Sequence, residues 1–238
     1  MSNLWYRELG FKDNPLSIKP AALHDEVIAY DLEEIYDKVE YGDVIFIEGP
    51  YGMGKSTILK NIINEFGRDR RIVYYSANRT NTEIKFKDVI KSNRSILGKL
   101  LNSNPKDIVL LLDEAEHLKE IDFDNLQKLY EAGNIKSVVF VGSNFEETKI
   151  NNYFADLVKE NVITLTQLSP DEAVSLIRSR LGDTKFVSDE MIKMIYSHSD
   201  NNARKLLKNT ENVCRYAYEF GDEEILEDHV KEVLAKKE

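Results

Sequence analysis

The chain has 238 residues, of which 42% are hydrophobic and 31% charged, with only 11 glycines and 5 prolines. This is the composition of a globular protein, and it excludes a long disordered or collagen-like chain. The formal net charge of −10 excludes a general attraction to nucleic-acid phosphates or anionic lipid, so any such contact needs a local basic patch.

The first 42 residues are predicted to form an N-terminal extension. Aromatic residues, Trp5 among them, precede a turn-rich segment around Asn14 and Pro15, and a helix is predicted over residues 25–40. The start of the chain lacks the apolar core of a secretory signal. The longest aliphatic run, residues 108–112, is far shorter than the roughly 20 residues that span a bilayer. Since the single cysteine, Cys214, also excludes an intrachain disulfide, we expect a cytoplasmic protein.

Between residues 43 and 166, short β-rich runs alternate with helical patterns. The predicted strands are residues 44–48, 71–77, 107–113, 137–143 and 161–165. Their residues are apolar on both faces, as expected when helices cover both sides of a sheet. The pattern therefore predicts an α/β core with a parallel five-stranded sheet in a three-layer sandwich.

A glycine-rich motif follows the first predicted strand and opens an amphipathic helix. It matches G-x-x-x-x-G-K-[ST] and defines the P-loop, with candidate nucleotide-binding residues Gly49, Pro50, Tyr51, Gly52, Met53, Gly54, Lys55, Ser56 and Thr57. In such a loop the backbone N–H groups bind phosphates, the lysine reaches the β- and γ-phosphates, and the hydroxyl of Ser56 reaches Mg²⁺. The alternative is a glycine-rich turn that binds nothing.

Two acidic residues end the third predicted strand. Asp113 is a candidate for holding Mg²⁺ and Glu114 for polarising a water that attacks the γ-phosphate. The alternative is that Asp113 caps a helix while Glu114 is a solvated charge. The nearby Glu116 is expected to be a surface residue of the following turn. Ser143 and Asn144 end the next strand, and we favour Asn144 over Ser143 as the residue that orients this water. The alternative is that either residue only caps the next helix.

After residue 166 the strand pattern stops, and a small all-α region follows. Helices are predicted over residues 170–181, 188–198, 202–219 and 226–236. The first has local capping signals, with Ser169 before Pro170 and Glu172 three residues after the cap. Arg204 lies in the first turn of the third helix, where its positive charge interacts unfavourably with the helix dipole. We therefore expect its guanidinium group to serve a function other than stabilising this helix. Residues 167–238 are therefore predicted to form a helical lid.

Together these motifs resemble the AAA+ ATPases, and within them the branch of archaeal replication initiators and of the ATPases that regulate transposition and secretion. The resemblance rests on the P-loop, on the Asp-Glu-Ala sequence from Asp113, and on the segments 9–11 and 14–20. It implies a P-loop NTPase sandwich with a lid, ATP and Mg²⁺ as cofactors, and ATP hydrolysis. It also implies that Asn144 is sensor 1, that Arg204 is sensor 2, and that Asn14, Pro15 and Leu16 close over the adenine.

One feature departs from that family. Its members usually carry an arginine finger before the fifth strand, whereas residues 151–161 contain no arginine and only Lys159. A lysine lacks the planar fork of a guanidinium group. The source of any activating arginine therefore stays open.

Three functions are compatible with the sequence. The first is an ATP-driven conformational switch that regulates a protein or DNA assembly, with a protein partner or a homo-oligomer. The second is a DNA-binding ATPase, for which Lys87, Lys91 and Arg94 share one face of a predicted helix, although a solvated charged face explains them equally well. The third is a nucleotide-binding scaffold with weak or no hydrolysis, whose N-terminal aromatic residues dock a partner or, alternatively, pack on their own domain.

Overall fold

The computed structural model describes residues 5–18, 30–67, 71–77, 83–92 and 106–234. The chain divides into two compact units. The first comprises Met1–Tyr30, Gly52–Gly54 and Thr166–Glu238, and the second comprises Asp31–Tyr51 and Lys55–Leu165. Within the described ranges, no helix has the length and apolarity needed to cross a membrane.

The described elements alternate between helices and strands through the second unit. The helices in chain order are α1 Trp5–Glu8, α2 Leu32–Tyr41, α3 Lys55–Phe66, α4 Phe86–Ser92, α5 Glu120–Glu131, α6 Asn152–Val158, α7 Pro170–Leu181, α8 Asp189–Ser197, α9 Ala203–Phe220 and α10 Glu227–Leu234. The strands are β1 Val44–Glu48, β2 Arg71–Ser76, β3 Ile108–Asp113, β4 Ile135–Gly142 and β5 Val162–Thr164.

The five strands form one sheet in the order β2-β3-β4-β1-β5, and every pairing is parallel. The predicted α/β class with a parallel five-stranded sheet is confirmed. Because all strands run in one direction, β1, β3 and β4 end at the same edge of the sheet. That edge brings together the P-loop, the Asp113–Glu114 pair and Ser143.

Strands β1 and β3 are buried on both faces of the sheet, which explains why they are apolar up to their last residue. Phe46, Leu110 and Phe140 belong to one core cluster, which also contains residues of α4, α5 and α6. Their neighbours Ile45 and Leu111, on the opposite face, are also fully buried. Alternate residues of a strand point to opposite faces, so a strand covered on both sides has no polar face.

Helix α2 shows how local signals set the ends of an element. The Asp31 side chain accepts the N–H of Glu33 at the start, and Gly42 ends the helix in the left-handed conformation, with φ of 95°. The sequence predicted a helix over residues 25–40. Its described part begins at Leu32, because Asp31 acts as the N-cap, and residues 25–29 lie outside the described part of the chain.

The first unit has its own core, built by α1 and α7–α10. Trp5, Leu16, Ile177 and Val213 are among the residues buried there. Trp5 is only 2% exposed, so it packs on its own unit. This was one of the two alternatives inferred from the sequence for the N-terminal aromatic residues. The all-α character predicted for the chain after residue 166 is confirmed.

Candidate active site

The P-loop connects the C-terminal end of β1 to the N-terminal end of α3. A Cβ atom added at Gly49 would lie 2.9 Å from the Cβ of Leu165, so the close approach of these two segments requires glycine. Gly54 has φ of 95°, in the region that favours glycine. Helix α3 begins directly afterwards at Lys55, and the first N–H groups of a helix have no partner within it. N–H groups at the positive end of a helix dipole can bind an anion.

The ammonium group of Lys55 lies against the backbone of the P-loop. Its Nζ donates to the carbonyl oxygens of Gly49 and Pro50, the latter at 3.0 Å. Burial lowers the pKa of Lys55, and the nearby carboxylates of Glu116 and Asp113 oppose that shift. The structure therefore places one cation beside the loop and close to two acidic groups.

Asp113 lies next to Ser56 at the sheet edge and is only 9% exposed. The hydroxyl of Ser56 donates to Oδ2 of Asp113 at 3.5 Å, and the hydroxyl of Tyr74 donates to the same oxygen at 3.2 Å. Burial raises the pKa of the Asp113 carboxyl, and the hydrogen bond from Tyr74 opposes that effect. The two residues predicted to hold a metal ion are thus in contact.

Glu114 has an unusual backbone conformation at the start of a short 3₁₀ turn, Ala115–His117. Its φ of 59° and ψ of 46° lie in the left-handed region, which a glutamate rarely adopts. Its Oε2 accepts a hydrogen bond from the hydroxyl of Ser76 at 2.7 Å. The carboxylate is therefore held in place from β2, adjacent to Asp113.

The loop after β4 carries the two polar residues predicted there. Oδ1 of Asn144 accepts the N–H of Glu147 at 3.1 Å, and the hydroxyl of Ser143 donates to Glu116 at 2.9 Å. Asn144 thus closes the turn over residues 145–147 and does not cap the next helix, α6, whose N-cap is Asn151. This contact also fixes the orientation of its amide group. Glu116 is exposed, as the sequence suggested, but it also ties the Asp113–Glu114 turn to the loop after β4.

Glu48, the last residue of β1, binds the loop that follows β4. Its Oε2 accepts the N–H of Phe145 at 2.7 Å, and its Oε1 accepts the hydroxyl of Thr164 at 2.7 Å. The ring of Phe145 also contacts that of Phe46, with centroids 5.4 Å apart. The loop that carries Asn144 is therefore held to the strand that leads into the P-loop.

Other predicted site residues belong to the first unit. The N–H of Arg204, in the first turn of α9, donates to the carbonyl oxygen of Gly52 at 3.2 Å. Oδ1 of Asn14 accepts the N–H of Leu16 at 3.0 Å, and Pro15 and Leu16 are buried. The contacts of Arg204 and of Asn14, Pro15 and Leu16 with a nucleotide stay predictions.

The basic face predicted on α4 is described only in part. Lys87 is exposed, the side chain of Lys91 is outside what the structure describes, and Arg94 lies outside the described residues altogether. Lys159, at the position where an arginine finger was sought, is exposed at the end of α6.

The donor set at the sheet edge fits Mg²⁺. The described side chains include no cluster of three or more His, Cys, Asp or Glu that could cage a metal ion. Mg²⁺ does not need such a cage, because it keeps several waters and takes one or two protein oxygens together with nucleotide phosphates. The hydroxyl of Ser56 and the carboxylate of Asp113 are hard oxygen donors of this kind, and they would hold the ion.

Sequence reasoning missed three side chains that orient this site: Glu48, Tyr74 and Ser76. Tyr74 and Ser76 lie two residues apart on β2, so they share one face of the sheet. Ser76 pairs in register with Asp113. The available signal was two polar residues at alternate positions near the end of β2, but their hydrogen-bond partners depend on strand pairing.

Comparisons with known proteins agree with this geometry. A family model described as an AAA domain matches residues 41–173. Among solved structures, Cdc6p from Pyrobaculum aerophilum is similar with a TM-score of 0.74 and 16% identity, over 94% of this chain and 70% of that one. Comparison with curated protein sequences finds no significant match.

Two further structures share the fold. The Aeropyrum pernix Orc1 protein, solved in complex with DNA, has a TM-score of 0.68 at 12% identity, over 93% of this chain and 68% of that one. The RuvB Holliday junction branch migration motor from Thermotoga maritima has a TM-score of 0.65 at 18% identity, over 86% and 68%. At these identities the similarity shows the fold alone.

Proposed function

The chain belongs to the AAA domain family, and from that premise we propose that it binds Mg-ATP and hydrolyses it as a conformational switch that regulates a protein or DNA assembly. The observation that carries the proposal is the contact between Ser56 of the P-loop and Asp113, with Oγ and Oδ2 3.5 Å apart. A hydroxyl from the P-loop and an acid at the end of another strand of the sheet are the pair that holds Mg²⁺ in P-loop nucleotide sites.

Phosphate binding is assigned to the P-loop and Lys55. The N–H groups at the start of α3 would bind the phosphate oxygens, and the Lys55 ammonium group would leave the carbonyls of Gly49 and Pro50 for the β- and γ-phosphates. Ser56 and Asp113 would hold Mg²⁺, which when bound neutralises charge on the phosphates.

Glu114 is assigned to activating the attacking water. The oxygen of this water would bond to the γ-phosphorus while the bond to the β–γ bridging oxygen breaks, and its proton would pass to the Glu114 carboxylate. Ser76 keeps this carboxylate oriented through its 2.7 Å hydrogen bond. Because Oδ1 of Asn144 accepts the N–H of Glu147, its amide nitrogen is the group assigned to orient the water. By resemblance, Arg204 is assigned to the γ-phosphate and Asn14, Pro15 and Leu16 to the adenine.

The test is ATP turnover by the wild type and by Glu114→Gln, with Glu120→Gln as the matched control. Glu120 is an exposed acid in the first turn of α5. A general base contributes roughly 10²- to 10⁴-fold to a rate, so we expect turnover to fall about 10²-fold or more in Glu114→Gln while nucleotide affinity is retained. The control should match the wild type. Equal turnover in Glu114→Gln and wild type would remove Glu114 from this role, and nucleotide binding without turnover would favour the scaffold alternative.

DNA binding is the second candidate. It is favoured by the fold shared with the Orc1 protein, which was solved in complex with DNA, and by the exposed Lys87 on α4. The net charge of −10 opposes it. The partner of the switch, whether protein, DNA or a second copy of the chain, therefore stays a proposal.

A further inference from the structure

Tyr74 reaches the end of the neighbouring strand with its hydroxyl group. Its Cα pairs with Leu111 in the β2–β3 register, two residues before the pair formed by Ser76 and Asp113. Two residues of a strand span about 6.6 Å, and a tyrosine side chain leaning along the strand can cover that length. The Tyr74 hydroxyl accordingly lies 3.2 Å from Oδ2 of Asp113.

The hydrogen bonds of Asp113 fix the rotation of its carboxylate. Oδ1 accepts the N–H of Glu114 at 3.0 Å, while Oδ2 accepts the hydroxyls of Tyr74 and Ser56. Each carboxylate oxygen has about two lone-pair sites. Tyr74 thus occupies one site on the oxygen that faces Ser56, and the Ser56 hydroxyl occupies the other, which is the site that would receive the hydrated ion.

We propose that Tyr74 is a positioning residue for the Mg²⁺ site, whose hydroxyl holds Asp113 in the orientation that receives the hydrated ion. This inference rests on the proposed Mg-ATP binding. A tyrosine hydroxyl suits the role because it is neutral and donates to the carboxylate without supplying a charge that competes for the ion. Groups that hydrogen-bond a metal ligand orient it and tune the affinity for the metal.

If Tyr74 had a purely structural role, loss of its hydroxyl would weaken nucleotide binding equally in Mg²⁺ and in EDTA. The side chain is 47% exposed, so its hydroxyl does not fill a core space. Removing it in Tyr74→Phe keeps the ring and leaves the apolar packing intact. The neighbouring Tyr75 is the matched control, because its ring packs on the other face of the sheet against Phe86, with centroids 6.4 Å apart.

The experiment measures the affinity of a fluorescent ATP analogue over a Mg²⁺ titration and in EDTA, for the wild type, Tyr74→Phe and Tyr75→Phe. Loss of a group that orients a metal ligand typically weakens metal affinity 10- to 100-fold. We expect the Mg²⁺ concentration at half-effect to rise about tenfold in Tyr74→Phe, with the affinity in EDTA unchanged. Tyr75→Phe should match the wild type in both conditions.

The outcomes that overturn the inference are distinct from failure of the proposed function. A wild type that binds the analogue with the same Mg²⁺ dependence as Tyr74→Phe would overturn the role of Tyr74 and leave Mg-ATP binding standing. Equal weakening of Tyr74→Phe in Mg²⁺ and in EDTA would show a structural effect and also overturn it. A wild type that does not bind the analogue at all would overturn the proposed function, and this inference with it.

Discussion

At the scale of single residues, the left-handed backbone of Glu114 is the clearest sign that the site is arranged for chemistry. A non-glycine residue in this conformation costs about 1 kcal/mol or more, and the contact with Ser76 at 2.7 Å helps to hold it there. The strain places the carboxylate beside Asp113 at the edge of the sheet. The fold therefore tolerates a local cost at the residue to which we assign the proton transfer.

This strain predicts the effect of two substitutions at position 114. Both Glu114→Gly and Glu114→Ala remove the carboxylate and its hydrogen bond, but only glycine adopts φ of 59° without steric cost. We expect the free energy of unfolding of Glu114→Gly to exceed that of Glu114→Ala by about 1 kcal/mol, measured by urea denaturation without nucleotide. An alanine variant as stable as the glycine variant would show that the backbone is unstrained.

Sequence could identify some site residues and not others, for a physical reason. The P-loop and the Asp113–Glu114 pair are predictable because their chemistry depends on neighbours along the chain. Tyr74 acts through strand pairing and the length of its own side chain, so its partner could not be read from spacing. Glu48 likewise acts across three segments through the N–H of Phe145 and the hydroxyl of Thr164.

At the scale of elements, helices with local capping signals were predicted most accurately. Helix α7 spans Pro170–Leu181 as predicted, because the capping box of Ser169 and Glu172 is complete within four residues. Strand β4 begins at Ile135, two residues before the predicted start. The extra residue Ile135 pairs with Ile108 of β3, and the register shifts directly after this pair. Such an extension depends on a partner strand and is not encoded locally.

Tyr196 on α8 ties two loops of the first unit together. Its hydroxyl lies 2.7 Å from the carbonyl oxygen of Leu168 and 2.9 Å from that of Asn201, and the two carbonyl groups share its single proton. Asn201 has φ of 49°, so the hydroxyl holds a loop in a conformation that is unfavourable by itself. The contact therefore links the entry to α7 with the turn before α9.

We expect Tyr196→Phe to lower the free energy of unfolding by about 1–2 kcal/mol at neutral pH, since the two carbonyl groups lose the one donor that they share. Burial raises the pKa of Tyr196 above its ordinary value of 10.0. For a group whose pKa is raised on folding, the stability it contributes is present below the unfolded pKa and is lost as pH rises through the folded pKa.

The difference between wild type and Tyr196→Phe should therefore be full at neutral pH and shrink above pH 10. Denaturant unfolding of both proteins across this range measures it. Other tyrosines titrate in both proteins, so the difference isolates Tyr196. A gap that stays constant or widens in alkali would contradict the role of its hydroxyl as the donor.

At the scale of the whole molecule, the recognition of the chain as a relative of the AAA+ ATPases is confirmed by the AAA domain match over residues 41–173. The sequence motifs were sufficient to recognise the family, because the P-loop and the strand that ends in Asp113 and Glu114 belong to one sheet. The packing of Trp5 with α7–α10 was not predictable in detail, since it joins the two ends of the chain in one core. The domain boundaries and the role of residues 167–238 as a lid stay predictions.

The central claim is that the P-loop binds Mg-nucleotide through Lys55, and its most direct test is nucleotide affinity. Titration of a fluorescent ATP analogue in Mg²⁺ should show binding by the wild type and by Lys60→Ala, which removes a cation further along α3. Lys55→Ala should lose at least about tenfold in affinity, because hydrogen bonds to charged groups contribute roughly 1.5–3 kcal/mol. Undiminished affinity in Lys55→Ala, or no binding by the wild type, would contradict the claim.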